Sequence, residues 1–151
     1  MVVRCSLVGL VASTLLLGLT PSGARGDPTA FEGPVQAQVV RVVDGDTFEA
    51  SAAIWLGQAI DIRVRIDGID APELHARCER EREQAEAARD FLARRIEGAA
   101  VRLSFVRYDK YGGRVDATVA DTKGDIGRSM IQAGLARPYH GERRMPWCDT
   151  F

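Results

Sequence analysis

Between Ile60 and Asp67 the sequence alternates without a break: Ile60, Ile62, Val64 and Ile66 against Asp61, Arg63, Arg65 and Asp67. A period of two sends alternate side chains to opposite faces of a strand, so this segment needs one face on a core and the other in water. Such a strand needs partners, and the flanking sequence supplies them. From Gln36, the residues Val39, Val40, Val42 and Val43 make a β-branched strand, Asp44-Gly45 is a turn pair, and Thr47 to Ile54 forms a second strand. Leu56-Gly57-Gln58 turns the chain into the alternating third strand, which Asp67-Gly68 ends.

Beyond this meander the period changes. Ala85, Ala88, Leu92 and Ile96 recur at helical spacing within a Glu-, Arg- and Ala-rich stretch, predicting a helix over Cys78 to Glu97 closed by Gly98. Val101, Leu103 and Phe105 alternate as a fourth strand, Gly112-Gly113 turns, and Val115 to Ala120 forms a fifth. Asp125 caps a short helix carrying Ile126, Met130 and Ile131, stopped by Gly134. From Arg137 onward the chain reads as irregular. Three strands, a helix, two strands and a helix are the contents of a mainly β, α+β domain: a five-stranded Greek-key barrel of the OB-fold type with two or three packed helices.

The 151 residues are 46% hydrophobic and 27% charged, which suits one globular domain. A net charge of −1 excludes nucleic-acid binding through a bulk positive field, so any such site must be a local cluster of arginines. The opening residues, positive through Arg4, apolar from Leu7 to Leu19 and small at Ser22-Gly23-Ala24, read as a signal peptide over 1–24. The apolar run is short for a membrane span, so no stable membrane association is expected after cleavage. Residues 25–35 read as a flexible leader and 36–151 as the domain, exported to the periplasm or the exterior and monomeric. In an oxidising compartment Cys78 and Cys148 invite a disulfide, which by loop-closure entropy adds roughly 4 kcal/mol. Zinc is the competing reading, because His75 and His140 lie nearby, but the spacings fit no strong zinc pattern.

Two acidic turns carry the chemistry: Asp44-Gly45-Asp46-Thr47 and Asp70-Ala71-Pro72-Glu73. Either alone reads as a structural turn or a helix start. Together they offer carboxylates from two loops and a backbone carbonyl, the oxygen donors that Ca²⁺ accepts. Pro72 keeps Ala71 out of the helical region, which leaves the Ala71 carbonyl available as a ligand. Neither turn contains the nitrogen or sulfur that a softer metal prefers. Phosphodiester hydrolysis needs such a cation, a base for water and cationic groups for the charge that gathers on phosphate. Glu73 can be the base, and Arg65 and Arg114 the cationic forks. Residue type does not choose Arg65 over Arg63, which lies on the same polar face.

Taken in order, Val42-Val43-Asp44-Gly45-Asp46-Thr47, Arg65, Asp70-Ala71-Pro72-Glu73, Asp109-Lys110-Tyr111-Gly112 and Ala133-Gly134-Leu135-Ala136 resemble the staphylococcal nuclease family over about Val39 to Tyr139. The resemblance implies an OB-fold barrel and Ca²⁺-dependent cleavage of DNA and RNA, with single-stranded or locally melted substrate preferred. It implies Asp46, Asp70 and the Ala71 carbonyl as metal ligands, Asp44 as an acid behind them, Glu73 as general base and Arg65 as a catalytic arginine. Lys110 and Tyr111 fall where the family contacts nucleotide, and Tyr139 either stacks on a base or packs on the barrel. In the family the second catalytic arginine follows Asp-Lys-Tyr-Gly directly, whereas here Gly113 intervenes before Arg114. An extra turn residue restores the match. Two other readings remain: an inactive nuclease-like module that only binds nucleic acid or protein, and an exported domain using Ca²⁺ for stability alone.

Overall fold

The computed structural model describes residues 30–109 and 112–148. The expected signal peptide, residues 25–29 of the leader, Lys110 and Tyr111 lie outside the described residues. The elements in chain order are β1 (Ala30–Phe31), β2 (Val35–Val42), β3 (Thr47–Trp55), β4 (Gln58–Ile66), β5 (Ile69–Asp70), α1 (Glu79–Ile96), β6 (Ala100–Tyr108), β7 (Val115–Asp121), β8 (Gly124–Asp125), α2 (Ile126–Gln132) and β9 (Arg137–Pro138).

β2, β3 and β4 form an antiparallel meander, β6 pairs with β2, and β7 pairs with both β6 and β4. The five long strands therefore close on themselves as an OB-fold barrel, mainly β with two helices among the described residues. The β4–β7 seam is parallel, with Val64 beside Val115 and Arg65 beside Asp116. Phe48, Val64, Ile66, Leu103 and Val119 fill the interior, and α1 adds Ala88, Leu92 and Ile96 to the same core. Each large side chain buried there contributes about 2 kcal/mol. α1 forms where the helical spacing predicts, with Glu79 and Glu81 in its first turn and Arg94 and Arg95 in its last, all favourable to the helix dipole. The Asp125 carboxylate caps α2 by accepting from the Arg128 N–H at 2.6 Å.

Four segments depart from the sequence reading. Residues 30 and 31, assigned to the loose leader, pair with β6 as β1. Phe105, expected to point inward, is 62% exposed at a φ of 54°. There the β6–β7 register slips between Ser104 and Arg107, and the extra residue of that bulge turns the ring out. At the other end of the alternating strand, Ile60 is exposed while Val64 and Ile66 are buried, because the β3–β4 hairpin runs past the edge of the core. The tail is also more ordered than its composition suggests, since β9 pairs antiparallel with β5.

Candidate active site

The first acidic turn joins β2 to β3. Val43 and Asp44 both donate their N–H groups to the Thr47 carbonyl, at 2.9 and 3.2 Å, which closes the turn. The Asp44 carboxylate accepts from the Asp46 N–H at 3.2 Å, and the Thr47 hydroxyl donates to Asp46 Oδ1 at 2.8 Å. Asp46 is thus held by its neighbours before any distant group is considered. Burial first, and then Asp44, raise its carboxyl to about 6 against the opposing pull of Arg65.

Strand register selects between the two arginines that composition leaves equal. Arg65 lies opposite Thr47 and Arg63 opposite Glu49. Arg63 accordingly pairs with Glu49 at the surface. Arg65 reaches inward, placing Nη2 3.0 Å from Asp46 Oδ2. The same nitrogen donates to the Ile69 carbonyl at 3.0 Å. Ile69 directly precedes Asp70, so one guanidinium group ties the two acidic turns together.

The backbone of the first turn also packs against the second turn. A Cβ added to Gly45 would lie 2.8 Å from the Cβ atoms of both Ala71 and Ala88. Only glycine allows the first turn to settle this closely on the second turn and on α1. β5 and β9 fix the second turn, pairing Ile69 with Pro138 and Asp70 with Arg137. Asp70 and Ala71 are buried while Glu73 is exposed.

The residue that contacts this turn most fully is one the sequence reading missed. Arg144 donates to Asp70 Oδ1, to Glu73 Oε1 and, at 3.2 Å, to the Ala71 carbonyl. Burial works against its charge, but the carboxylates of Glu73 and Asp70 outweigh that and raise its pKa further. Trp147 donates its indole N–H to the other Asp70 oxygen at 3.2 Å. The segment is held by the Cys78–Cys148 disulfide and by the Arg137 guanidinium, 3.7 Å from the centre of the Trp147 ring. The available signal was the cysteine pair. Cys78 follows Glu73 closely and Cys148 follows Arg144 closely, so a bridge between them draws Arg144 to Glu73.

Beside the acids lies a cleft of about 490 Å³, lined among others by Arg65, Arg107, Arg114, Tyr139 and Arg144. Arg114 donates to Asp109, while Asp46 and Asp116 act on it from a distance. Gly112 and Gly113 both have a φ of 71°, which turns the chain into β7 and sets Arg114 on the cleft wall. The Tyr139 ring lies 5.7 Å from the Arg65 guanidinium carbon, and Arg107 pairs with Asp67 at the rim. Of the predicted residues, Arg65, Arg114 and Tyr139 line this cleft. Asp46 joins its wall through Arg65, Asp70, Ala71 and Glu73 join it through Arg144, and Asp44 lies behind Asp46.

The donors suit a hard cation. They are oxygens only, Asp46 and Asp70 are buried, and a positive group already lies against Asp70 and the Ala71 carbonyl. Among the described residues, the one trio of metal-capable side chains with donor atoms within 4.8 Å of one another is Cys78, Glu81 and Cys148. Its two sulfurs are bonded to each other, which removes the thiolates a soft metal needs. Asp46, Asp70 and Glu73 do not close to that spacing.

The family model of staphylococcal nuclease homologues matches residues 63–147. A protein of Escherichia coli O157:H7 described as an uncharacterized endonuclease is 27% identical over 105 residues, covering 70% of this chain and 61% of its own length. A probable endonuclease, LCL3, of Leptosphaeria maculans is 32% identical over 103 residues, covering 64% of this chain and 33% of its own.

Proposed function

Because the chain belongs to the staphylococcal nuclease family, we propose that it is an exported nuclease that hydrolyses phosphodiester bonds of DNA and RNA with Ca²⁺. The observation that carries this reading is Arg65: one guanidinium bonded both to Asp46 and to the backbone beside Asp70, on the wall of a cleft shared with Arg114. Arg65 and Arg114 offer cationic forks on the cleft wall, and the acids of the two turns lie behind Arg65 and Arg144; a phosphodiester and its attacking water require both kinds of group.

Asp46, Asp70 and the Ala71 carbonyl would hold the ion, and when bound it supplies positive charge beside a phosphate oxygen. Asp44 orients Asp46 through its backbone N–H. Glu73 accepts a proton from the attacking water. Arg65 and Arg114 donate to the non-bridging phosphate oxygens, where negative charge builds in the transition state. Tyr139 offers a ring at the cleft wall for a base or sugar. Lys110 and Tyr111 are assigned to nucleotide contact on the family resemblance. A single strand or a locally melted duplex is the expected substrate.

The test is cleavage of single-stranded DNA and of RNA by the disulfide-bonded protein with Ca²⁺, with excess chelator, and with Glu73→Gln. Cleavage is expected with Ca²⁺ only, and Glu73→Gln is expected to lower kcat by about 10²–10⁴-fold with the fold intact. Nucleic-acid binding without cleavage in every condition would instead support the inactive binding module. Full activity of Glu73→Gln would remove the glutamate from the mechanism.

A further inference from the structure

We infer that Arg144 is a tethered internal competitor for the cation, and that cation binding requires its guanidinium group to leave Asp70 and Ala71. The inference rests on the Ca²⁺ reading above. Arg144 donates to the Asp70 carboxylate, the Ala71 carbonyl and the Glu73 carboxylate. Two of these acceptors are proposed ligands of the ion and the third is the proposed base. A guanidinium fork and a divalent ion bring like charge to the same oxygens, so occupancy by one opposes occupancy by the other.

The setting of Arg144 suits a part that swings without leaving. One end of its segment is pinned where β9 pairs with β5, and the other where Cys148 bonds to Cys78. Near the second anchor Trp147 bonds Asp70, and Arg137 donates to the Pro146 carbonyl at 3.2 Å. Between the anchors, residues 140–146 are all exposed, Arg144 among them. The guanidinium is therefore kept at a high effective concentration beside the acids while its backbone stays free of core packing. A site whose competent form must first lose an internal partner binds more weakly, by the fraction of time that partner is away. The protein is then inactive until cation levels are high enough to displace Arg144.

Calorimetric titration of the disulfide-bonded protein with Ca²⁺, without substrate, tests this. Arg144→Met should tighten Kd by roughly tenfold or more, with Arg144→Lys between the two because a single ammonium loses the fork. Arg143→Met, at a neighbouring exposed position, should leave Kd unchanged. A Trp55→Phe chain leaves Trp147 as its single tryptophan, and its emission should change along the same binding curve. The double variant Cys78→Ser, Cys148→Ser should also tighten Kd by loosening the tether, and should do so less in the Arg144→Met background. An unchanged or weaker Kd in a folded Arg144→Met protein overturns the competition while leaving the Ca²⁺ reading standing. Absence of binding in every variant at millimolar Ca²⁺ overturns both.

Discussion

Arg63 and Arg65 share a strand face, a charge and a side-chain length, yet they meet different surroundings. Arg63 is half exposed and bonded to Glu49, which Arg41 also contacts. An exposed pair of this kind contributes about 0–1 kcal/mol. Arg65 retains 14% of its side-chain exposure and bonds Asp46 and the Ile69 carbonyl. On the proposed mechanism, Arg65→Ala is expected to lower kcat by about 10²–10³-fold, comparable to removing one donor from a transition-state charge. Arg63→Ala should leave kcat within a factor of two or three by the same steady-state assay, since it holds no group facing the cleft. Equal losses from the two would place the phosphate outside the cleft. The sequence offers two arginines on one strand face but does not show which of them reaches Asp46. That choice belongs to the pairing of β3 with β4, and register between strands is invisible to composition. The acids were easier to read, because Asp-Gly-Asp-Thr and Asp-Ala-Pro-Glu are turns by their own local chemistry.

At the scale of elements, local periodicity predicted what local forces decide. The spacing of Ala85, Ala88, Leu92 and Ile96 located α1 to within a residue at each end. Phe105 and Ile60 were misplaced because alternation says which residues share a face, not where a bulge or the rim of the core interrupts it. Arg144 was missed for a related reason: an arginine in an aperiodic tail has no pattern to be read against, and only the cysteine bridge locates it. One link between elements has a consequence for pH. Arg95, in the last turn of α1, makes two bonds of 2.9 and 3.1 Å to the Asp121 carboxylate at the end of β7. These bonds hold Asp121 below its ordinary value of 3.8. A carboxyl whose pKa is lower folded than unfolded contributes stability that is complete above the ordinary value and is lost as pH falls through the lowered one. Asp121→Asn should therefore cost about 1.5–3 kcal/mol at neutral pH, the range for bonds to charged groups. In urea titrations the gap from the parent protein should narrow as pH drops well below 3.8. A gap that stays constant with pH would mean the loss is one of packing and not of charge.

For the molecule as a whole, the seam between β4 and β7 sets the order in which its parts become useful. The β2–β3–β4 meander is built from tight turns, so its contacts are near neighbours along the chain. The seam is different, since it sets Val64 beside Val115 and needs α1 and β6 as its crossover. Closing so long a loop is entropically slower than closing a hairpin. Arg65 stands on one side of this seam and Arg114 just before the other, so a chain with only the meander formed would hold the first acidic turn and Arg65 but neither Arg114 nor the β5–β9 pairing that fixes the second turn. We expect Val115→Ala to speed unfolding while leaving the refolding limb of a stopped-flow urea chevron nearly unchanged, and a slowed refolding limb would place the seam in the folding nucleus instead. On the proposed function, newly made chain would then remain harmless to the nucleic acid around it until its barrel has shut.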